Sequence, residues 1–148
     1  MLTMKFFDKG NPTIMDTSKG RLYLFHITFE SGMQVVKIGK ASGKDSVDRM
    51  MQIQRAYFKK NRCTFLCRIK RDRPVEDVFA YETALHHFFA DYRYTAKTPF
   101  DGSTELFVVH PDAATDVYEY LLEHGVDSLE GMEFDPDAYV EEVDQLPF

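Results

Sequence analysis

The run from residue 20 to residue 49, GRLYLFHITFESGMQVVKIGKASGKDSVDR, leaves few architectures open. The alternation from Leu22 to Phe29 fits a β-strand. Glu30-Ser31-Gly32 marks a reversal, because glycine tolerates the positive φ that tight hairpin turns need. Gln34 to Gly39 returns as the partner strand. Asp45 or Ser46 can cap a following helix, which puts Arg49 in its first turn. A β-hairpin feeding directly into a helix is therefore the nucleus around which the other elements must pack.

The remaining elements follow from period and punctuation. Residues 46–58 read as a helix with an apolar stripe of Val47, Met50, Met51, Gln54 and Phe58, and with Arg55, Lys59 and Lys60 on the other side. Residues 63–70 read as a third strand, stopped by Arg71-Asp72-Arg73-Pro74 because proline supplies no ladder donor. A helix over about 75–92 has Val78, Phe79, Tyr81, Leu85, Phe88 and Phe89 on its core side. A loop at 98–103 precedes a short strand at 105–109. His110-Pro111-Asp112 then starts a helix that stops at Gly125. The reading is an α+β fold, order β-β-α-β-α-β-α, with a small mixed or antiparallel sheet and helices packed on it. Residues 1–19 are an irregular lead-in with a short edge strand expected at 4–7, residues 20–109 form the body, and residues 110–148 form an acidic helix and tail with one more short helix expected at 137–143.

Charge divides along the chain. Residues 1–97 hold all 18 Lys and Arg against 10 acidic residues, a net of +8; residues 98–148 hold 14 acidic residues and no Lys or Arg, a net of −14. The overall −6 therefore conceals a basic body suited to phosphate and an acidic segment suited to shielding it or meeting a partner. At 148 residues and 44% hydrophobic content the chain can bury a real core as one domain. No apolar run is long enough for a membrane span, and the N-terminus lacks the apolar core of a signal peptide, so an intracellular, cytoplasmic protein is expected. Cys63 and Cys67, on one strand, would stand about 13 Å apart, too far for a disulfide. They also lack the partners of a structural zinc site.

Several residues carry chemistry. Tyr23 shares a strand face with Phe25 and Ile27, and a phenol serves as a base near neutrality only if a cation favours its phenolate. Lys37, on the partner strand, is placed to supply that charge. Gly39 lets the backbone come close to a phosphate, with Lys40, Lys44, Arg55 and Lys59 as further phosphate contacts. The loop imitates a nucleotide-binding P-loop but fails its count: three residues, not four, separate Gly39 from Gly43, and Asp45 stands where a hydroxyl should hold magnesium. No nucleotide cofactor is expected. Arg49 at a helix N-terminus can bind a phosphate with two donors. Glu82 lies among apolar residues, where a carboxylate needs a partner or a cation, and His86 follows at i+4 on the same face as an accessory group.

Leu22-Tyr23, then Lys37-Ile38-Gly39, then Arg49, Glu82 and Glu105-Leu106-Phe107 resemble the GIY-YIG nucleases, in particular a small phage-type branch whose second motif is Lys-Ile-Gly. The likeness spans roughly residues 20–109, with Arg21 in place of the first-motif glycine and Lys37 in place of a tyrosine. The resemblance implies a metal-dependent DNA endonuclease, a hydrolase of phosphodiesters from a phage or mobile element. Glu82 would hold one Mg²⁺ or Mn²⁺, Tyr23 assisted by Lys37 would take a proton from the attacking water, and Arg49 would stabilise the pentavalent phosphate. Products would carry 5′-phosphate and 3′-hydroxyl ends. Glu105 suits pairing with a basic residue of the core. Without a sequence-reading module, DNA targeting would fall to a protein partner or to self-association. The alternatives are an inactive DNA- or protein-binding module on the same fold, and a protein–protein effector whose acidic tail mimics nucleic acid.

Overall fold

The computed structural model describes residues 19–42 and 45–136. The strand expected at 4–7, the helix expected at 137–143 and Lys44 lie outside the described residues. Strands β1 (Gly20–Thr28) and β2 (Gln34–Ala41) form the hairpin, followed by helix α1 (Val47–Asn61), strand β3 (Leu66–Val75), helix α2 (Val78–Phe88), strand β4 (Leu106–Phe107) and helix α3 (Pro111–His124). The α+β class and the element order are those read from the sequence. The four strands pair antiparallel in the order β3-β1-β2-β4.

Alternation along β1 divides the core in two. Leu22 and Leu24, with Val36 and Ile38 of β2, pack with Val78, Leu85 and Phe89 of α2 and with Ala114, Tyr118 and Leu121 of α3. Tyr118 ties α3 to the sheet by donating its hydroxyl to the Leu22 carbonyl at 2.6 Å. On the opposite face, Tyr23, Phe25 and Ile27 pack with Val35, with Ile53 of α1, and with Phe65, Phe100 and Leu106.

Three local expectations need correction. Strand β3 starts at Leu66, not at residue 63, and passes through Pro74 to Val75. It lies at the sheet edge, where a missing donor costs no ladder bond, and a register shift opposite Leu24 and Phe25 bends it. The inward stripe of α1 is buried Ile53 with half-buried Met50 and Tyr57, whereas Val47, Met51 and Phe58 are exposed. The helix carries apolar residues around much of its circumference, so period alone does not choose the inner face. In α2, Phe79 is likewise exposed, and the helix ends at Phe88 before a 3₁₀ turn at Ala90–Tyr92.

Folding also spends part of the charge division. The α3 residue Glu119 meets Arg71 and Arg73, and Asp112 lies 3.7 Å from Lys70. The acidic part of the chain thus neutralises much of the basic edge strand. Both cysteines are free thiols, and no helix among the described residues is long and apolar enough to cross a membrane.

Candidate active site

The site forms where β4 ends. This two-residue strand meets β2 at Val36 and Lys37, so from Ile38 onward β2 keeps its pairing with β1 and lacks β4 on its other side. His86 of α2 bonds the Ile38 carbonyl through Nε2 at 2.7 Å. A carbonyl only accepts, so Nε2 carries the proton and the imidazole's tautomer is set. Burial pushes the pKa of His86 below its ordinary value, which favours the neutral ring.

Strand register decides which groups share a face. Tyr23 stands opposite Gly39, and Lys37 stands opposite Phe25, so Tyr23 and Lys37 are diagonal neighbours on one face. The Lys37 ammonium lies 5.6 Å from the centre of the Tyr23 ring, which stacks on Phe25 at 4.1 Å. Tyr23 and Lys37 are both fully buried. Gly39 acquires a role the sequence did not suggest. The Tyr23 phenol covers its α-carbon so closely that a β-carbon there would meet Cζ at 2.5 Å. The space left by the missing side chain is filled by the phenol.

Lys37 ion-pairs with Glu105, which immediately precedes β4. Burial lowers the lysine's pKa and the Glu105 carboxylate opposes that shift. Gly102, at φ +94°, passes over the Lys37 side chain and closes it off, in a backbone conformation that favours glycine. Lys37 is not among the largest influences on the Tyr23 phenol. Burial raises the phenol's pKa above 10, Glu105 adds to the shift, and the cation opposing it is Arg49. Lys37 is committed to Glu105, whereas the Arg49 guanidinium lies within electrostatic reach of the hydroxyl. That hydroxyl is buried and forms no hydrogen bond of good geometry.

Arg49 is brought there by an anchor that the sequence reading missed. Asp72 of β3 accepts from the backbone N–H and the hydroxyl of Ser46, each at 2.8 Å, and from Arg21 at 2.6 Å. Ser46 flanks α1 without capping it through its side chain; Asp45 accepts from the Val47 N–H instead. The α1 N-terminus is thereby stitched to the strand beside Tyr23, since Asp72 stands opposite Tyr23 in the ladder. Arg49 reaches Asp101 of the covering loop at 3.3 Å. The one signal for this anchor was an acidic residue between two arginines, Arg71-Asp72-Arg73.

Glu82 is 5% exposed, and its Oε2 has no hydrogen-bond partner. Burial raises its pKa, and the nearby Glu105 charge raises it further. Lys40 approaches Oε1 at 4.0 Å, and His86 Nε2 lies 4.0 Å from Oε2. A buried carboxylate oxygen with spare acceptor capacity, beside a second carboxylate, fits a hard divalent cation that keeps several waters. Tyr23, Lys37, Arg49 and Glu82 therefore belong to one electrostatic cluster: Glu105, Arg49 and Glu82 each act on both Tyr23 and Lys37. Arg55 and Lys59 lie elsewhere, beside exposed Met51 and Phe58 on the outer face of α1.

The family described as the T5orf172 domain matches residues 20–122, which runs from the first strand into α3. Neither a curated protein nor a solved structure matches the chain.

Proposed function

Because the chain belongs to the T5orf172 domain family, and because its cluster joins a phenol, a guanidinium and a buried carboxylate, we propose that it is a metal-dependent DNA endonuclease of the GIY-YIG type. The observation that carries this reading is Glu82: a buried carboxylate, one oxygen unpartnered, held beside Glu105 and near the charges of Lys37 and Lys40. A magnesium or manganese ion bound there would supply charge neutralisation at the scissile phosphate and at the leaving 3′ oxygen. Arg49 binds the phosphate and neutralises the charge that grows on it, exchanging the exposed Asp101 for the substrate. Tyr23 takes a proton from the attacking water, and Arg49 is its counter-charge. His86 holds the Ile38 carbonyl just past the β4 pairing and keeps a neutral ring beside Glu82. Lys40, Lys44, Arg55 and Lys59 draw in the DNA backbone, which provides affinity without sequence choice. The family likeness favours a phage or mobile-element protein acting in the cytoplasm, with a protein partner or self-association for targeting.

Incubating supercoiled plasmid with the protein and Mg²⁺ or Mn²⁺ tests the reading. Nicked circles are expected with metal, and Glu82→Ala and Arg49→Ala are each expected to slow nicking by about 100-fold or more. DNA binding without nicking in the unaltered protein would favour the inactive module, and neither activity would favour the effector.

The same assay carries a pH prediction. A base acts when deprotonated, and burial holds the Tyr23 pKa above 10. The active fraction is therefore small at neutrality and grows by about tenfold per pH unit below that pKa. Nicking is expected to accelerate steadily from about pH 7 to pH 9 if proton removal limits the rate. A flat profile over that interval would assign proton removal to another group.

A further inference from the structure

We propose that Glu105 is a second carboxylate ligand of the divalent cation held by Glu82, and that the Lys37 ammonium is the internal cation with which the metal competes for it. The inference rests on the reading above and adds to it a ligand and a competitor. Donor atoms of Glu82, His86 and Glu105 lie within 4.8 Å of one another. His86 is not the third ligand through Nε2, because that nitrogen carries a proton committed to the Ile38 carbonyl. Two carboxylates remain. The Glu82 side chain is more than nine-tenths buried, and its Oε2 is unpartnered. Glu105 gives Oε1 to Lys37, and its carboxylate lies close enough to Glu82 for the two to share one ion. Two neighbouring carboxylates, one of them buried, favour a proton or a cation between them. The nearest alternative cation for Glu82, Lys40, is 4.0 Å away and about half exposed, so it balances that charge weakly. An all-oxygen pair completed by water suits Mg²⁺ or Mn²⁺ rather than a thiophilic metal.

The rival account makes Glu105 only the counter-ion of Lys37. The two differ once the lysine is gone. Binding of Mn²⁺ to the full chain can be titrated by the electron paramagnetic resonance signal of the free ion, with thermal unfolding as a check on folding. Lys37→Met removes a competing charge and is expected to tighten Mn²⁺ binding by about tenfold. Lys37→Met/Glu105→Gln leaves no orphaned ammonium, and is expected to bind about 10- to 100-fold more weakly than Lys37→Met. If the double variant binds as tightly as Lys37→Met, Glu105 is not a ligand and the inference is overturned. Loss of binding in Glu82→Gln would then leave the endonuclease reading standing. Absence of Mn²⁺ binding in the unaltered protein at millimolar ion, or full binding in Glu82→Gln, would overturn both.

Discussion

Gly39→Ala is expected to cost the fold about 3 kcal/mol, the upper end of what overpacking a dense interior does. The backbone is not the reason, since Gly39 lies outside the positive-φ region in which an L-residue is strained. In an ordinary strand the same change would be mild. Here the added methyl would enter the Tyr23 phenol, at 2.5 Å from Cζ and closer still to the hydroxyl. Tyr23 cannot retreat easily, because it is fully buried and stacked on Phe25 at 4.1 Å. Urea denaturation measures the loss. A second substitution identifies its cause: in a Tyr23→Leu background the Gly39→Ala penalty should shrink by about 2 kcal/mol. A penalty below about 1 kcal/mol in the unaltered background would mean that the phenol moves aside and that Gly39 does not hold it in register.

The Lys37–Glu105 pair is expected to respond asymmetrically. Lys37 is wholly buried, while the Glu105 side chain is 29% exposed. Glu105→Gln therefore strands an ammonium where water cannot reach it, at a cost of about 3 kcal/mol. Lys37→Met strands a carboxylate that water can still solvate, and should cost much less. The sign of the pH effect follows from the lysine. Its pKa in the folded chain is below the ordinary 10.5, so in the interval between the two values the unfolded chain binds more protons and stability rises with pH. Removing Glu105 takes away the charge that opposes this shift and widens the interval. The Glu105→Gln deficit should accordingly shrink as pH rises toward 10.5. Equal losses for the two single variants, or a deficit independent of pH, would show that the ammonium remains solvated.

Local sequence was informative where local forces decide. Alternation from Leu22 to Phe29 located β1, and Gly125 and Pro111 bracketed α3, because pleat, cap and first-turn preferences act over a few residues. The same logic failed on α1. Val47-Met50-Met51-Phe58 and Met50-Ile53-Tyr57 are both acceptable helical stripes, and the choice between them rests on how the helix is anchored. That anchor is Asp72, 26 residues beyond Ser46. β3 runs through Pro74 for a related reason: whether proline is tolerated depends on lying at an edge, which is a property of the sheet.

Taken by itself, the sequence determined the hairpin and the element order, since short-range periodicity and turn chemistry specify these, whereas the groups proposed for phosphoryl chemistry come from the family resemblance. Tertiary structure alone decided which cation answers which anion. Lys37 lies one strand from Tyr23 yet is claimed by Glu105, 68 residues away, and the cation that acts on the phenol is Arg49, carried in on a helix. Electrostatic partnership depends on distance and burial in three dimensions, and neither is written in the spacing of residues along a chain.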